Sequence, residues 1–279
     1  MLSYRPPVPL VPVYSIAKTF TAAGVLAANI DIDRTVGEFL DTPAHYRPLP
    51  IRALLQHVSG LGDYFDLPEY RSAVEGREAA WSDLELLERA LIAPPSTPGR
   101  FRYSNVGYTL VRMVLEEVAD AEFHTALSQL VFEPLQIHDV YPLRERSDWG
   151  RCEEATESVR GYDPRWVFPR TFLATPDVVA HGLCAILRGE LFDPSQLFDS
   201  VRVDAPGHSF EDPCYGLGVM IDGSRFIGHG GGGPGFELFA LAKPDGSAAH
   251  LEYRVTENDL GDADLIAAGV ECLRAQGSR

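Results

Sequence analysis

The sequence predicts an α/β protein of the α+β kind, in which an antiparallel sheet is flanked by helices and accompanied by a mostly helical region. Helical periodicity fills the middle of the chain, strand-like alternation follows in the last quarter, and a helical segment closes it. The 279 residues, 45% of them hydrophobic, suit one large core. We expect a single domain over 1–279, with a helical region at about 41–204 and a sheet region formed by about 1–40 with 205–279.

The first three quarters of the chain carry the helical signals. Prolines punctuate residues 1–13, which excludes a central strand there. Ser82, which begins the 82–92 segment, and Pro176, in the first turn of the 175–189 segment, are typical of helix starts. Residues 142–172 look irregular. The predicted helices cover about 15–28, 51–59, 82–92, 106–119, 122–135 and 175–189.

The last quarter carries the strand signals. Apolar runs and alternating stretches are separated by glycine and Asp-Gly breaks, as in antiparallel hairpins. Helical periodicity returns over 262–276. The predicted strands cover 215–221, 225–230, 236–243 and 249–256.

Composition excludes several classes of partner. Asp and Glu outnumber Lys and Arg by 40 to 24, so the net charge of −16 argues against nucleic acid and anionic membrane surfaces. The simplest explanation of this acidity is a well-solvated surface. The four cysteines are scattered without a C-x-x-C pair or a nearby histidine cluster, so we expect no zinc site, and no other cofactor is indicated.

The N-terminus lacks a charged region followed by a clean apolar stretch, and is a poor signal peptide. No run approaches the roughly 18 apolar residues of a membrane span. We expect a soluble, cytoplasmic protein, although a signal upstream of this sequence stays open.

The stretch "YSIAKTF" places Ser15 three residues before Lys18. In a helix these positions share one face, with Cβ atoms about 5–6 Å apart. A buried lysine with a lowered pKa can take the serine proton, which makes the serine a nucleophile. Alone, the S-x-x-K pattern also occurs by chance in long proteins.

Two further stretches contain candidate site residues that add to this pair. "RFRYSNVGYTL" supplies Tyr103 and Asn105 where a loop meets a helix, and "IGHGGGGPGF" supplies His229 and a glycine run at a strand end. In this order, the three elements resemble the S-x-x-K, Y-x-N and H-x-G motifs of the class C β-lactamase and penicillin-binding-protein group of serine hydrolases. That group includes related serine esterases and D-amino-acid peptidases.

Other stretches resemble the same family. "LLQHVSGLGDY" is similar to its "LLTHTSGL" segment, and "GHGGGGPGF" is similar to its "GHTGGTPGF". "PGRFRYSNVGYTL" and "VFEPLQIHDVY" also resemble family blocks, so the likeness spans nearly the whole chain from Ser15. It implies a β-lactamase/transpeptidase-like fold.

The resemblance implies a role for each motif residue. Ser15 would be the nucleophile, Lys18 its base or orienter, and Tyr103 a partner that passes a proton to the leaving group. The oxyanion hole would be formed by the backbone N–H groups of Ser15 and Gly232. The positions implied to bind substrate are Asn105, His229, Gly231 and Gly232.

Several residues keep a second interpretation. The glycine run is also compatible with a flexible hairpin. His57, in "LLQHVSGL", is better explained as a structural histidine than as a catalyst. Tyr64, Phe65 and Tyr108 suit the core and an acyl pocket equally well.

The sequence departs from the family before Ser15. The family has about fifty residues or more there, which form a helix and two strands, whereas fourteen proline-rich residues precede Ser15. We expect these N-terminal strands to be missing from the sheet. An uncovered flank favours association with a partner chain, so a homo-oligomer is expected.

The function implied is hydrolysis of a small-molecule ester or amide through an acyl-enzyme. Esterase activity ranks first, peptidase or amidase second and β-lactamase third. The same residues would serve an acyltransferase, and a catalytically degenerate binding protein is the alternative of another class.

Overall fold

The larger sheet of the protein consists of strands from the last third of the chain. In this computed structural model, residues 9–204, 209–258 and 260–276 are described. The strand order is β4-β5-β6-β7-β8-β9, and each neighbouring pair is antiparallel. These strands are β4 (Val201–Arg202), β5 (Pro213–Tyr215), β6 (Met220–Asp222), β7 (Phe226–Gly233), β8 (Phe236–Ala242) and β9 (Ala249–Val255).

A smaller sheet holds the start of the described chain. Its order is β1-β3-β2, and its strands are β1 (Val11–Pro12), β2 (Tyr141–Pro142) and β3 (Phe172–Ala174). The proline-containing β1 lies at the edge, where a missing N–H is tolerated. The Val13 N–H donates to the Phe172 carbonyl oxygen at 3.0 Å, which fixes the chain just before Ser15. For residues 1–8, the expectation that prolines exclude a central strand lies outside the described residues.

The helices surround these sheets and follow most of the predicted segments. Ser82 caps one helix in a capping box, and Thr175 caps another whose first residue is Pro176. The α-helices are α1 (Ala17–Ala27), α2 (Ile51–Leu55), α3 (Pro68–Glu75), α4 (Asp83–Ala90), α5 (Asn105–Ala119), α6 (Phe123–Leu127), α7 (Glu157–Gly161), α8 (Pro176–Leu187) and α9 (Ala263–Gln276).

Three predicted helices have different ends. The first begins with a 3₁₀ turn, Tyr14–Ile16, before α1. The helix predicted to end at Ser59-Gly60 stops at Leu55, because His57 has a left-handed φ of 56°. The 122–135 segment changes from α6 to a π-helical stretch, Ser128–Phe132.

The predicted irregular segment, 142–172, holds short elements. Besides α7 and the strand ends, it contains the 3₁₀ turns Arg146–Arg151 and Pro164–Trp166. Both Trp149 and Trp166 are buried, so this segment contributes to the core without long regular structure.

The helix that follows Ser15 is part of the core. All residues of α1 from Ala17 to Leu26 are buried, and the helix packs against α5. Within the described residues, the larger sheet has no strand from before Ser15, and no strand pairs with the outer edge of β9. No helix among the described residues has the length and apolar character needed to cross a membrane.

Candidate active site

Ser15 and Lys18 meet where the 3₁₀ turn passes into α1. Ser15 is half-buried, and the Lys18 side chain reaches back so that its Nζ lies 2.9 Å from the Ser15 Oγ. Lys18 is only 2% exposed. The three-residue spacing therefore brings hydroxyl and amine into hydrogen-bond contact, although the serine itself precedes the α-helix.

Lys18 is held by α5 on its other side. Its Nζ lies 2.8 Å from the Asn105 Oδ1, and the rings of Tyr103 and Tyr108 lie 5.0 and 5.6 Å from it. Burial lowers the Lys18 pKa to about 7, while the Asp63 carboxylate opposes that change. A substantial fraction of Lys18 is therefore neutral at physiological pH and able to accept a proton.

Tyr103 brings a second hydroxyl to the same serine. Its phenol interacts with Ser15, and burial raises the Tyr103 pKa well above its usual value. The phenol is therefore protonated at neutral pH and can donate. The ring of His57 packs against it, with ring centres 4.2 Å apart.

The glycine run of β7 lies against the turn that carries Ser15. A Cβ atom on Gly231 would lie 2.6 Å from the Val13 carbonyl oxygen, so the strand and turn approach more closely than a side chain permits. Gly232 differs, since nothing lies within 4 Å of a Cβ there. Gly232 and Ser15 line the same cavity.

His229 is part of β7 itself and is 1% exposed. Its Nδ1 lies 2.6 Å from the Gly230 carbonyl oxygen and its Nε2 lies 2.9 Å from the Tyr215 hydroxyl. A carbonyl only accepts, so Nδ1 carries the proton and Nε2 accepts from Tyr215. Burial lowers the His229 pKa to about 3, so the ring is neutral. Both ring nitrogens are thus engaged inside the protein.

A cavity of about 210 Å³ opens beside Ser15. Tyr64 and Phe65 line it, whereas Tyr108 is fully buried and donates its hydroxyl to the Leu55 carbonyl oxygen at 2.9 Å. The walls are mainly apolar and aromatic, which suits an uncharged organic group. The remaining aromatic lining residues are Tyr14, Tyr70, Tyr162 and Trp166.

Sequence reasoning missed Asp63, which is buried beside Asn105. Its Oδ2 accepts from the Asn105 backbone N–H at 2.5 Å and from Nδ2 at 3.1 Å. No local pattern marks this contact, because the residues are 42 positions apart. The sequence feature that could have pointed to Asp63 is an aspartate in the glycine-containing stretch "GLGDY".

His57 also supports the site without touching Ser15. Its Nδ1 accepts from the Ser104 N–H at 3.1 Å, and its ring packs against Tyr103, Tyr108 and Tyr215. Burial lowers the His57 pKa well below its usual value. These contacts fit a neutral structural histidine.

Known proteins share the fold of this chain. A family model described as Beta-lactamase matches residues 9–256. A D-stereospecific amidohydrolase from Streptomyces sp. is similar in structure, with a TM-score of 0.81, 25% identity, and coverage of 95% of this chain and 87% of that one.

Two further structures share the fold. The D-amino acid amidase from Ochrobactrum anthropi SV3 has a TM-score of 0.80 at 19% identity, over 98% of this chain and 88% of that one. An octameric penicillin-binding protein homologue from Pyrococcus abyssi has a TM-score of 0.75 at 17% identity, over 98% and 67% of the two chains.

Proposed function

The chain belongs to the β-lactamase family, and we propose that it is a serine hydrolase that cleaves an amide or ester through an acyl-enzyme on Ser15. One observation carries this proposal. The Lys18 Nζ lies between the Ser15 Oγ and the Asn105 Oδ1, at 2.9 and 2.8 Å, in a buried position that lowers its pKa to about 7.

In the first half-reaction, neutral Lys18 accepts the hydroxyl proton while the Ser15 Oγ attacks the carbonyl carbon of the substrate. The backbone N–H groups of Ser15 and Gly232 stabilise the oxyanion that forms. As the carbonyl re-forms, the bond to the leaving amine or alcohol breaks. Tyr103 passes a proton to that leaving group and is reprotonated from Lys18. The acyl group is then an ester of Ser15.

In the second half-reaction, a water molecule attacks this ester. Tyr103 and Lys18 accept the water proton as a pair, and the Ser15 Oγ leaves and regains its proton. The products are the carboxylic acid and the free enzyme. Both halves use the same hydrogen-bonded groups, so no further residue is needed.

The cavity and the relatives both support a substrate class. Aromatic walls beside Ser15 favour an apolar group next to the scissile carbonyl. Similarity to a D-stereospecific amidohydrolase favours an amide as the natural substrate, ahead of the esters ranked first from sequence. Esters stay within the proposal because an alkoxide leaves more readily than an amine.

The test compares wild type with Ser15→Ala on two substrates, a p-nitrophenyl ester and a phenylalanine p-nitroanilide. We expect turnover of both by wild type and loss of both in the folded variant. Undiminished turnover by Ser15→Ala would remove the nucleophile assignment. Turnover of the ester alone would place esters first again.

We also propose that the chain associates with copies of itself. Within the described residues, the outer edge of β9 has no strand partner, and Val255 at its end is 43% exposed. An unpaired edge is prone to pairing between chains. Light scattering at tens of micromolar should give a mass above 30.7 kDa, and a monomer would count against this proposal.

A further inference from the structure

Asp63 is 7% exposed and is hydrogen-bonded to two residues of the site, Asn105 and Phe65. Its Oδ1 accepts from the Phe65 N–H at 3.0 Å, and its Oδ2 accepts from both nitrogen atoms of Asn105. Burial raises the Asp63 pKa, and the N–H groups of Phe65 and Asn105 together with Lys18 oppose that rise by favouring the ionised form. Asp63 also lies at the N-terminus of α5, where the helix dipole favours a negative charge.

This arrangement fixes the direction of the Asn105 amide. A carboxylate can only accept, so the Asn105 Nδ2 must face Asp63 and the Oδ1 must face Lys18. The opposite orientation would place two acceptors together and turn the NH₂ group toward the Lys18 amine. Asn105 is 5% exposed, so water cannot easily compensate for such a reversal.

Asp63 also supplies charge to the same site. Its carboxylate raises the Lys18 pKa, against the larger lowering by burial. The other titratable groups that face Lys18 are uncharged at neutral pH. Burial lowers the pKa of the His57 and His229 imidazoles. Burial also raises the pKa of the Tyr103 and Tyr108 phenols.

We propose that Asp63 is a positioning residue of the active site, which orients the Asn105 amide toward Lys18 and supplies the negative charge that sets how readily the Lys18 amine gives up its proton. This proposal rests on the function proposed above, in which Lys18 is the base. Asp63 itself touches neither the Ser15 hydroxyl nor the cavity beside it.

The chain offers an unusually direct measurement, because its only two lysines are Lys18 and Lys243. In a Lys243→Arg background, selectively ¹³C-labelled lysine gives a single side-chain resonance, that of Lys18. Its chemical shift can be titrated with pH whether or not the enzyme turns over a substrate. Failure of the positioning proposal can therefore be distinguished from failure of the proposed function.

The test variant is Asp63→Asn, which keeps an acceptor oxygen and removes the charge. The matched control is Asp222→Asn, in the larger sheet. Asp222 is 5% exposed and accepts from the backbone N–H groups of Glu211 and Asp212 at 3.0 and 2.9 Å. Circular dichroism verifies that both variants fold, and Asp63→Ser is a second neutral variant in case Asp63→Asn does not.

We expect the Lys18 titration midpoint to move to lower pH in Asp63→Asn and to stay unchanged in Asp222→Asn. The acid limb of kcat/KM should move with it, and kcat/KM at pH 8 should fall about tenfold or more as the Asn105 amide loses its fixed orientation. An unchanged midpoint in a folded Asp63 variant would overturn the proposal. Failure of both neutral variants to fold would assign Asp63 to stability alone and also overturn it.

Discussion

The Tyr14 hydroxyl donates a hydrogen bond of 2.7 Å to the Pro234 carbonyl oxygen, 220 residues further along the chain. It ties the residue before Ser15 to the turn between β7 and β8. Tyr14 has a φ of 44°, a left-handed conformation that costs a residue with a side chain about 1–3 kcal/mol. Tertiary contacts of this kind keep the turn that carries Ser15 in that conformation.

Tyr14→Phe should therefore reduce both stability and activity. Loss of the hydrogen bond should lower the free energy of unfolding by about 1 kcal/mol. The loosened turn should lower kcat/KM by about tenfold. Tyr46→Phe is the control, since buried Tyr46 also donates at 2.7 Å to a carbonyl oxygen, that of Leu87. Urea denaturation should show that both variants are destabilised to a similar degree. Ester turnover should fall only in Tyr14→Phe. Equal activities of the two variants would contradict this account.

The glycines of β7 provide a second prediction. Gly231→Ala places a methyl group 2.6 Å from the Val13 carbonyl oxygen, a backbone atom that cannot move without displacing the Ser15 turn. We expect a loss of about 1–3 kcal/mol in the free energy of unfolding. Gly232→Ala faces open space and should unfold at the wild-type urea midpoint. A Gly231→Ala variant as stable as Gly232→Ala would show that the strand and turn separate easily.

The third prediction concerns pH. Burial lowers the Lys18 pKa to about 7, and a base must be neutral, so kcat/KM should rise with pH through about 7 and then level. Between pH 6 and pH 8 the neutral fraction, and with it kcat/KM, should increase about tenfold.

Substitutions at Lys18 provide the control for this pH dependence. Lys18→Arg keeps the charge but stays protonated, so it should be nearly as inactive as Lys18→Ala at every pH. An active Lys18→Arg variant would show that only the charge matters at this position.

The fourth prediction concerns substrate charge. His229, in the H-x-G motif, is neutral because burial lowers its pKa to about 3, so it offers a substrate carboxylate little electrostatic attraction. Arg170 lines the cavity, but Asp83 lies 3.6 Å from it. The net charge of −16 also disfavours anions.

A neutral short-chain ester should therefore exceed nitrocefin in kcat/KM by at least about 100-fold, or about 2.7 kcal/mol. The comparison is made at pH 7.5 in moderate salt, with Ser15→Ala as the blank. Comparable hydrolysis of nitrocefin would move β-lactamase to first place.

Contacts between residues close in sequence could be predicted from the sequence. Most contacts between residues far apart in sequence could not. The three-residue spacing of Ser15 and Lys18, and the alternation of the C-terminal strands, are local patterns with a direct geometric meaning. The motif order further suggested that Asn105 and the β7 glycines lie near Ser15, and the structure brings them together.

What the sequence did not indicate depends on tertiary packing. The Asp63–Asn105 contact joins two loop–helix junctions, and the Tyr215–His229 hydrogen bond joins residues on two strands of the sheet. The left-handed φ of His57, which ends α2 early, is held by packing against Tyr103 and Tyr108. Neither helix propensity nor a glycine marks that position.

The most direct test of the central claim is mass spectrometry of the protein after reaction with a fluorophosphonate. Neutral Lys18 beside the Ser15 Oγ should make this hydroxyl more reactive than the other serines. We predict one stoichiometric adduct, located on Ser15 by peptide mapping, absent from Ser15→Ala and strongly slowed in Lys18→Ala. An adduct on another residue, or none on a folded protein, would contradict the assignment of Ser15 as the nucleophile.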